Sequence, residues 1–298
     1  MQRISVVSAV SSFNVLDLVR LTPLMQRSSG APEVRIGLID GFVVASHPEL
    51  AGQRVQAIGQ VASPACSVND SFACVHGTFV AGILVARRSS AAPAICPGCT
   101  LLVRPIFSET NAGQSGVPSA TPRELAEAIR DCVAEGAHVV NLSAALRGST
   151  QDGDAELYGA LSHAASRGVI VVAAAGNDGV IASSAITRHP WVIPVVAYSG
   201  TGRPLGLSNL GSSIGRGGLG APGDSITSLG THGKTVSFGG TSAATPFVTG
   251  AIALLRSEFP AASAERIRLA VLQSCARRRT SVVPPLLNAW GAYQALQS

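Results

Sequence analysis

Five short, almost wholly apolar runs set the limits on what this chain can fold into. They cover residues 34–39, which end at Asp40, and then 101–106, 139–143, 169–174 and 192–196. Such runs read as strands buried on both faces, and strands of that kind belong to a parallel sheet. Helical stretches lie between them. Thr121-Pro122-Arg123-Glu124 is a capping box with proline at the first helical position, and it opens a helix to about Glu135. Residues 155–167 read as a second helix, stopped by Gly168, residues 241–259 as a third, stopped by Pro260, and residues 264–275 as a fourth. The alternation predicts an α/β fold, a three-layer sandwich with a central, mostly parallel sheet. In such sheets ligands bind at the carboxyl ends of the strands. Asp40, Ser143 and Asn177 fall at or just after strand ends, and Ser242 opens a helix. The chain reads as an N-terminal extension, 1–33, followed by one domain, 34–298.

Composition narrows the function classes. Charged residues are only 13% and hydrophobic ones 46%, which excludes compositional disorder. The net charge of +5 is scattered, its longest run is Arg277-Arg278-Arg279, and no aromatic residues interleave with it. That pattern is a solvated surface rather than a nucleic-acid site. No stretch approaches the roughly 18 apolar residues of a membrane span. Residues 1–13 carry a short apolar run broken by Ser5 and Ser8, which does not make a signal peptide. A cytoplasmic chain is expected. Of six cysteines, Cys132 and Cys275 read as small buried hydrophobes. Cys96 and Cys99 form a CxxC pair with no second pair to complete a zinc site. Cys66 and Cys74 flank a short polar loop just before His76. Either pair can close a disulfide, which a reducing cytoplasm opposes. The sequence does not report an oligomeric state.

Four residues carry chemistry. Ser242 lies in Gly239-Gly240-Thr241-Ser242-Ala243-Ala244-Thr245-Pro246 at the start of a long apolar helix, where unpaired N–H groups favour developing negative charge. Read alone, Ser242 or Thr241 is equally a helix cap. His76 lies in His76-Gly77-Thr78-Phe79-Val80-Ala81-Gly82, and a neutral imidazole is the usual base for an activated serine. Read alone, it is a structural histidine. His47, His138, His163, His189 and His232 have no comparable setting and are assigned structural or surface roles. Asp40, ending the first core strand, can hold an imidazole in one tautomer, or can simply start a turn before Gly41. Asn177, in Ala175-Gly176-Asn177-Asp178-Gly179, can donate its amide to an oxyanion, or belong to a plain turn. The joint occurrence of all four outweighs the separate structural readings.

In this order, Asp40, His76, Asn177 and Ser242 resemble the subtilisin superfamily, whose Asp–His–Ser chain order is distinctive. His76–Gly82 matches its His-Gly-Thr-x-Val-Ala-Gly motif, and Gly240-Thr241-Ser242 with Pro246 matches Gly-Thr-Ser-x-x-x-Pro. Asn141-Leu142-Ser143, Ala175-Gly176-Asn177 and Leu287-Asn288-Ala289 match further segments. Three departures stand out. Gly41 replaces a usual Ser or Thr, Ala145 replaces a glycine in the substrate strand, and Ala243 replaces a Met. A closer likeness is to the proteases that mature cyanobactin-type ribosomal peptides, carried by Ile39-Asp40-Gly41, by the stretch 73–84 and by the stretch 94–106. The resemblance implies a subtilisin-like serine endopeptidase with Asp40, His76 and Ser242 as triad and Asn177 as oxyanion donor. A peptide or precursor-peptide substrate would lie along Ser143, Ala144, Ala145, Ala174 and Gly176, with an uncharged residue before the cut. Macrocyclases of the same family carry a helical insertion, and the short interval between Asp40 and His76 has no long amphipathic segment, which favours hydrolysis. Calcium braces loops in many subtilisins. Here the best carboxylate candidate, Asp152-Gly153-Asp154, reads as a polar loop before a helix, so no cofactor is expected.

Overall fold

Seven strands hydrogen-bond side by side, all parallel, in the computed structural model of the chain, which describes residues 14–59, 66–68, 70–107, 119–143, 145–146, 151–275 and 282–298. Residues 1–13, Ala144 and the Arg277-Arg278-Arg279 run lie outside the described residues. The chain begins with short helices α1 (Val15–Leu18) and α2 (Thr22–Arg27), then strands β1 (Arg35–Asp40) and β2 (Arg54–Ala57) and helix α3 (Phe72–Val85). Strands β3 (Thr100–Pro105) and β4 (Ser119–Ala120) precede helix α4 (Pro122–Ala134). Strands β5 (Val139–Leu142) and β6 (Ala145–Leu146), helix α5 (Gln151–Ser166), strand β7 (Ile170–Ala174), helix α6 (Ala185–Arg188) and strand β8 (Ile193–Tyr198) follow. Next come helix α7 (Ser212–Gly217), strands β9 (Leu219–Pro222), β10 (Ile226–Leu229) and β11 (Thr235–Phe238), and helices α8 (Thr241–Glu258), α9 (Ala264–Gln273) and α10 (Ala289–Gln297).

The sheet order is β2-β3-β1-β5-β7-β8-β9, and the side chains of each strand alternate between two cores. Ile36, Leu38, Leu101, Val103, Val139, Val172, Ile193 and Val195 face a core filled by α3, α8, α9 and α10. Ile39, Leu102, Val140, Leu142, Val171 and Ala173 face the other, filled by α4 and α5. This is the expected three-layer sandwich. α8 is the central helix of the first core. Its Phe247, Leu254 and Leu255 are fully buried, and burial of one such side chain stabilises by about 1.5–3 kcal/mol. The segment before β1 packs into this core through Val19, Leu21 and Leu24, which are also fully buried. The capping box at α4 forms as expected: Glu124 N–H donates to Thr121 Oγ1 at 3.3 Å and Thr121 N–H donates to Glu124 Oε2 at 2.8 Å.

The structure corrects one sequence expectation, settles one left open and adds two strands to the sheet. α5 starts at Gln151, so Asp152-Gly153-Asp154 lies inside its first turn and is not a loop before it. Two acidic residues at a helix N-terminus are stabilised there by the helix dipole, which outweighs the glycine between them. Cys66 and Cys74 are joined in a disulfide, whereas Cys96 and Cys99 remain thiols. The turn capped by Ser71 brings the first two Cα atoms to 5.9 Å, within disulfide reach. That bond runs against the expectation that a reducing cytoplasm opposes a disulfide here. Finally, β2 and β9 were not anticipated, because β2 is largely exposed and β9 is short. The exposed edge strand β2 leaves no continuous apolar run to read. Cys132 behaves as the buried hydrophobe expected, its thiol pushed up to about 12 by burial. Among the described residues no helix is long and apolar enough to cross a membrane.

Candidate active site

The site forms where the carboxyl end of β1 meets α3. Gly41, just past Asp40, lies against the carbonyl of Ala73, only 1.9 Å from where a Cβ would sit. A serine or threonine there has no room, which explains this departure from the usual family residue. Gly77 also packs closely, its Cβ position 2.3 Å from the carbonyl oxygen of Phe42 and 2.6 Å from that of Gly41. The two contacts press α3 onto the end of β1. As a result the His76 ring reaches Asp40, with Nδ1 2.7 Å from Oδ1. Asp40 is fully buried, and its Oδ1 also accepts from Gly41 N–H at 2.6 Å. Oδ2 has no hydrogen-bond partner among the described residues.

With its Nδ1 proton donated to Asp40, His76 leaves Nε2 free to accept from the Ser242 hydroxyl, whose Oγ is 3.1 Å away. His76 is only 5% exposed. Burial lowers its pKa, but the Asp40 charge and hydrogen bond raise it by more, so it titrates above the ordinary value of 6.5.

Ser242 is the second residue of α8, so its own N–H is among the first-turn donors without an intrahelical partner. Pro246, four residues on, has no N–H to give the Ser242 carbonyl. The Ser143 hydroxyl points at that freed oxygen, 3.5 Å away. Behind it runs a buried polar chain. Asn141 Nδ2 donates to Ser143 Oγ at 2.8 Å, and Thr249 Oγ1 donates to Asn141 Oδ1 at 2.9 Å. Thr245 Oγ1 donates to the Thr241 carbonyl at 2.7 Å. Asn141, Thr241, Thr245 and Thr249 are all fully buried, so these bonds tie β5 to the start of α8 in a dry interior where unmet groups are costly.

Asn177 follows β7. Its Oδ1 accepts from Thr241 N–H at 2.9 Å and from Thr241 Oγ1 at 3.0 Å. The amide is thereby oriented, and its Nδ2 makes no hydrogen bond within the described residues. Gly176 holds this turn at a φ of +105°, a left-handed conformation open to glycine. Asn209 braces the turn from across, its Oδ1 accepting from Asp178 N–H at 3.0 Å and its N–H donating to the Gly176 carbonyl at 2.9 Å. Sequence reading missed Asn209, Asn141 and Thr249. Asn141 stands in a matched motif, but Asn209 and Thr249 carry no local signal.

Ser143, Ala174 and Gly176 border this centre. Ala145 is described by its backbone alone, which pairs with Ser119 in the short parallel β4–β6 ladder. One edge of the segment expected to receive a substrate strand is thus already occupied. Ala243 is fully buried in α8. The remaining histidines lie elsewhere. His189 contacts Ser162, His138 accepts from Arg35 N–H, and His232 pairs with Asp70. Among the described residues no group of three or more His, Cys, Asp or Glu side chains is arranged to hold a metal.

A serine hydroxyl, a buried imidazole and a carboxylate in a hydrogen-bonded row, beside a helix N-terminus at the carboxyl ends of a parallel sheet, define an α/β fold equipped for acyl transfer. The chain belongs to the Subtilase family, whose sequence profile matches residues 31–291. The thermostable alkaline protease of Halalkalibacterium halodurans is 30% identical over 241 residues, covering 80% of this chain and 61% of that protein. The chain therefore spans about three-fifths of that relative's length. Among solved structures, a mutant of the protease domain of PatA aligns with a TM-score of 0.81 at 33% identity, covering 90% of this chain and 96% of that one. The prenylagaramide maturation protease PagA aligns with a TM-score of 0.81 at 27% identity, covering 94% and 99%. The likeness read from the motifs holds at the level of family and of structural neighbours.

The Asn177 geometry yields an expected result. Asn177→Ala lowers turnover about 100- to 1000-fold, the magnitude for one oxyanion donor, with little change in KM. Steady-state kinetics on a cleaved peptide checks this, and a loss below about tenfold removes Asn177 from the role.

Proposed function

We propose that this protein is a serine endopeptidase that cleaves ribosomally made precursor peptides, with Asp40, His76 and Ser242 as its triad. The observation that carries the reading is the unbroken row of hydrogen bonds from Asp40 through His76 to Ser242, set beside an Asn177 amide whose nitrogen is unengaged. Ser242 Oγ attacks the scissile carbonyl while His76 Nε2 takes its proton. Asn177 Nδ2 and the Ser242 N–H stabilise the oxyanion. His76 then protonates the leaving amine, and water, activated by the same imidazole, releases the acyl group. Asp40 keeps the Nδ1–H tautomer and stabilises the imidazolium. The substrate lies along Ser143, Ala144, Ala145, Ala174 and Gly176, a stretch with no charged side chain, so an uncharged residue is preferred before the cut.

The maturation role is supported by the likeness to proteins named as a patellamide maturation protease and a prenylagaramide maturation protease. The test incubates the purified protein with casein and with precursor peptides encoded near its gene, followed by mass spectrometry. One clean cut, with products that sum to substrate plus one water and casein left largely intact, supports the reading. Rapid multi-site casein digestion overturns the maturation role. Products whose masses sum to the substrate with no added water assign transpeptidation or macrocyclisation instead.

A further inference from the structure

Three aromatic rings surround the His76 imidazole, and one of them faces solvent. Phe79 is fully buried and Phe238 half-buried, while Phe72 is 45% exposed. Phe72 lies one helical turn before His76 on α3, with its ring stacked on the imidazole at a centroid distance of 5.5 Å and an interplanar angle of 23°. Phe238, the last residue of β11, is 6.0 Å from Phe72 and 6.2 Å from His76. An exposed phenyl ring costs free energy in water unless something apolar covers it.

The position of that ring relates it to one half of a substrate. During acylation the acyl half of the peptide is held on Ser242, beside Asn177. The other half leaves through an amine that takes its proton from His76 Nε2, so that nitrogen must come within hydrogen-bond reach of the imidazole. The side chain of the first residue after the cut branches one bond from that nitrogen. It therefore emerges beside the ring that flanks His76, and Phe72 supplies the accessible apolar surface there. The wall is also held in place. The Cys66–Cys74 disulfide and the Ser71 cap fix the start of α3, with Ser71 Oγ accepting from Cys74 N–H at 3.2 Å. The loop is further linked to the β10–β11 hairpin by His232 Nε2 and Asp70 Oδ1, 3.0 Å apart. The hairpin carries Phe238, so the two elements that bear the aromatic rings are tied together.

We propose that Phe72, backed by Phe238, forms the subsite for the first residue on the leaving-amine side of the cut and selects an aliphatic or aromatic side chain there. This inference rests on the peptidase reading above. The test takes a peptide cleaved by the wild-type protein and resynthesises it with Leu, Phe, Ser or Asp as the first residue after the cut. Wild type, Phe72→Ala and Phe72→Leu are compared by kcat/KM, and a fluorophosphonate probe monitors Ser242 in each. The expected result is a wild-type preference of about tenfold or more for Leu and Phe over Ser and Asp, the scale of discrimination by an apolar pocket. Phe72→Ala collapses that preference and Phe72→Leu keeps part of it, with probe labelling showing that Ser242 remains reactive in each and the selectivity before the cut retained. An unchanged preference in Phe72→Ala, or an equal loss for all four peptides, overturns the subsite while leaving the peptidase reading in place. A wild-type protein that neither cleaves nor labels defeats both.

Discussion

A Ser242→Ala variant loses peptide cleavage by about 10⁶-fold, the scale found when the nucleophile of a serine–histidine–aspartate triad is removed. The loss is this large because the Ser242 hydroxyl lies 3.1 Å from His76 Nε2, and among the described residues no second nucleophile is placed to inherit the proton path. Folding is expected to survive. Ser242 lies at the open start of α8, only half-buried, and the helix is held by Phe247, Leu254 and Leu255 further along. The buried chain through Thr245, Thr249 and Asn141 does not use the Ser242 hydroxyl at all. Kinetics on a cleaved peptide, with circular dichroism and a melting curve on the same sample, checks both halves. A well-folded Ser242→Ala protein with full activity rules out the triad.

Asp40→Asn lowers kcat by about 10⁴-fold, as expected when the carboxylate partner of the imidazole is neutralised. In the wild type Oδ1 accepts a hydrogen bond from Nδ1–H, which leaves Nε2 as the acceptor facing Ser242. An amide can turn its NH2 toward Nδ1, which moves the imidazole proton to Nε2 and removes the base. The pH profile carries a second signature, whose sign follows from the balance at His76. Burial lowers its pKa, and the Asp40 charge and hydrogen bond raise it by more. Catalysis needs the neutral ring. In the wild type, activity therefore falls on acidification through a midpoint above the ordinary 6.5. In Asp40→Asn the burial remains and the charge is gone, so the acid limb of the residual activity moves to lower pH. Measuring kcat/KM from about pH 5 to 9 for both proteins tests this. An acid limb at the same pH in both shows that Asp40 does not set the titration of the base.

The residues proposed as the triad were legible because each sits in a local setting that chemistry restricts. Asp40 closes an apolar strand, His76 heads a run of small residues, and Ser242 follows two glycines at a helix start. The neighbours that hold them were less legible. Asn209 fixes the Gly176 turn from a loop beyond β8, and Thr249 reaches Asn141 from the middle of α8. A lone Asn in a loop or Thr in an apolar helix has no spacing that announces a partner in another element. The departure at Gly41 also lacked a reason in sequence. Its cause is the Ala73 carbonyl, which arrives from α3 and occupies the place of a side chain.

By itself the sequence determined the layer order and the chemical groups. A strand covered on both faces must be apolar throughout, so β1, β3, β5, β7 and β8 announce themselves. The capping box at Thr121 marks its helix with local hydrogen bonds alone. The tertiary structure decided whatever depends on what comes close through space. It placed β2 and β9 at the sheet edges, where β2 lies largely in water and the buried β9 has its apolar run broken by Gly220 and Pro222. It paired Cys66 with Cys74 and left Cys96 and Cys99 as buried thiols, a choice that spacing left open. It also stacked Phe72 on His76 beside a strand-end Phe238 that sequence reading had not connected to it. Contacts between distant segments follow from how α3, the β10–β11 hairpin and the sheet close around one another, and no periodicity within a single segment encodes them.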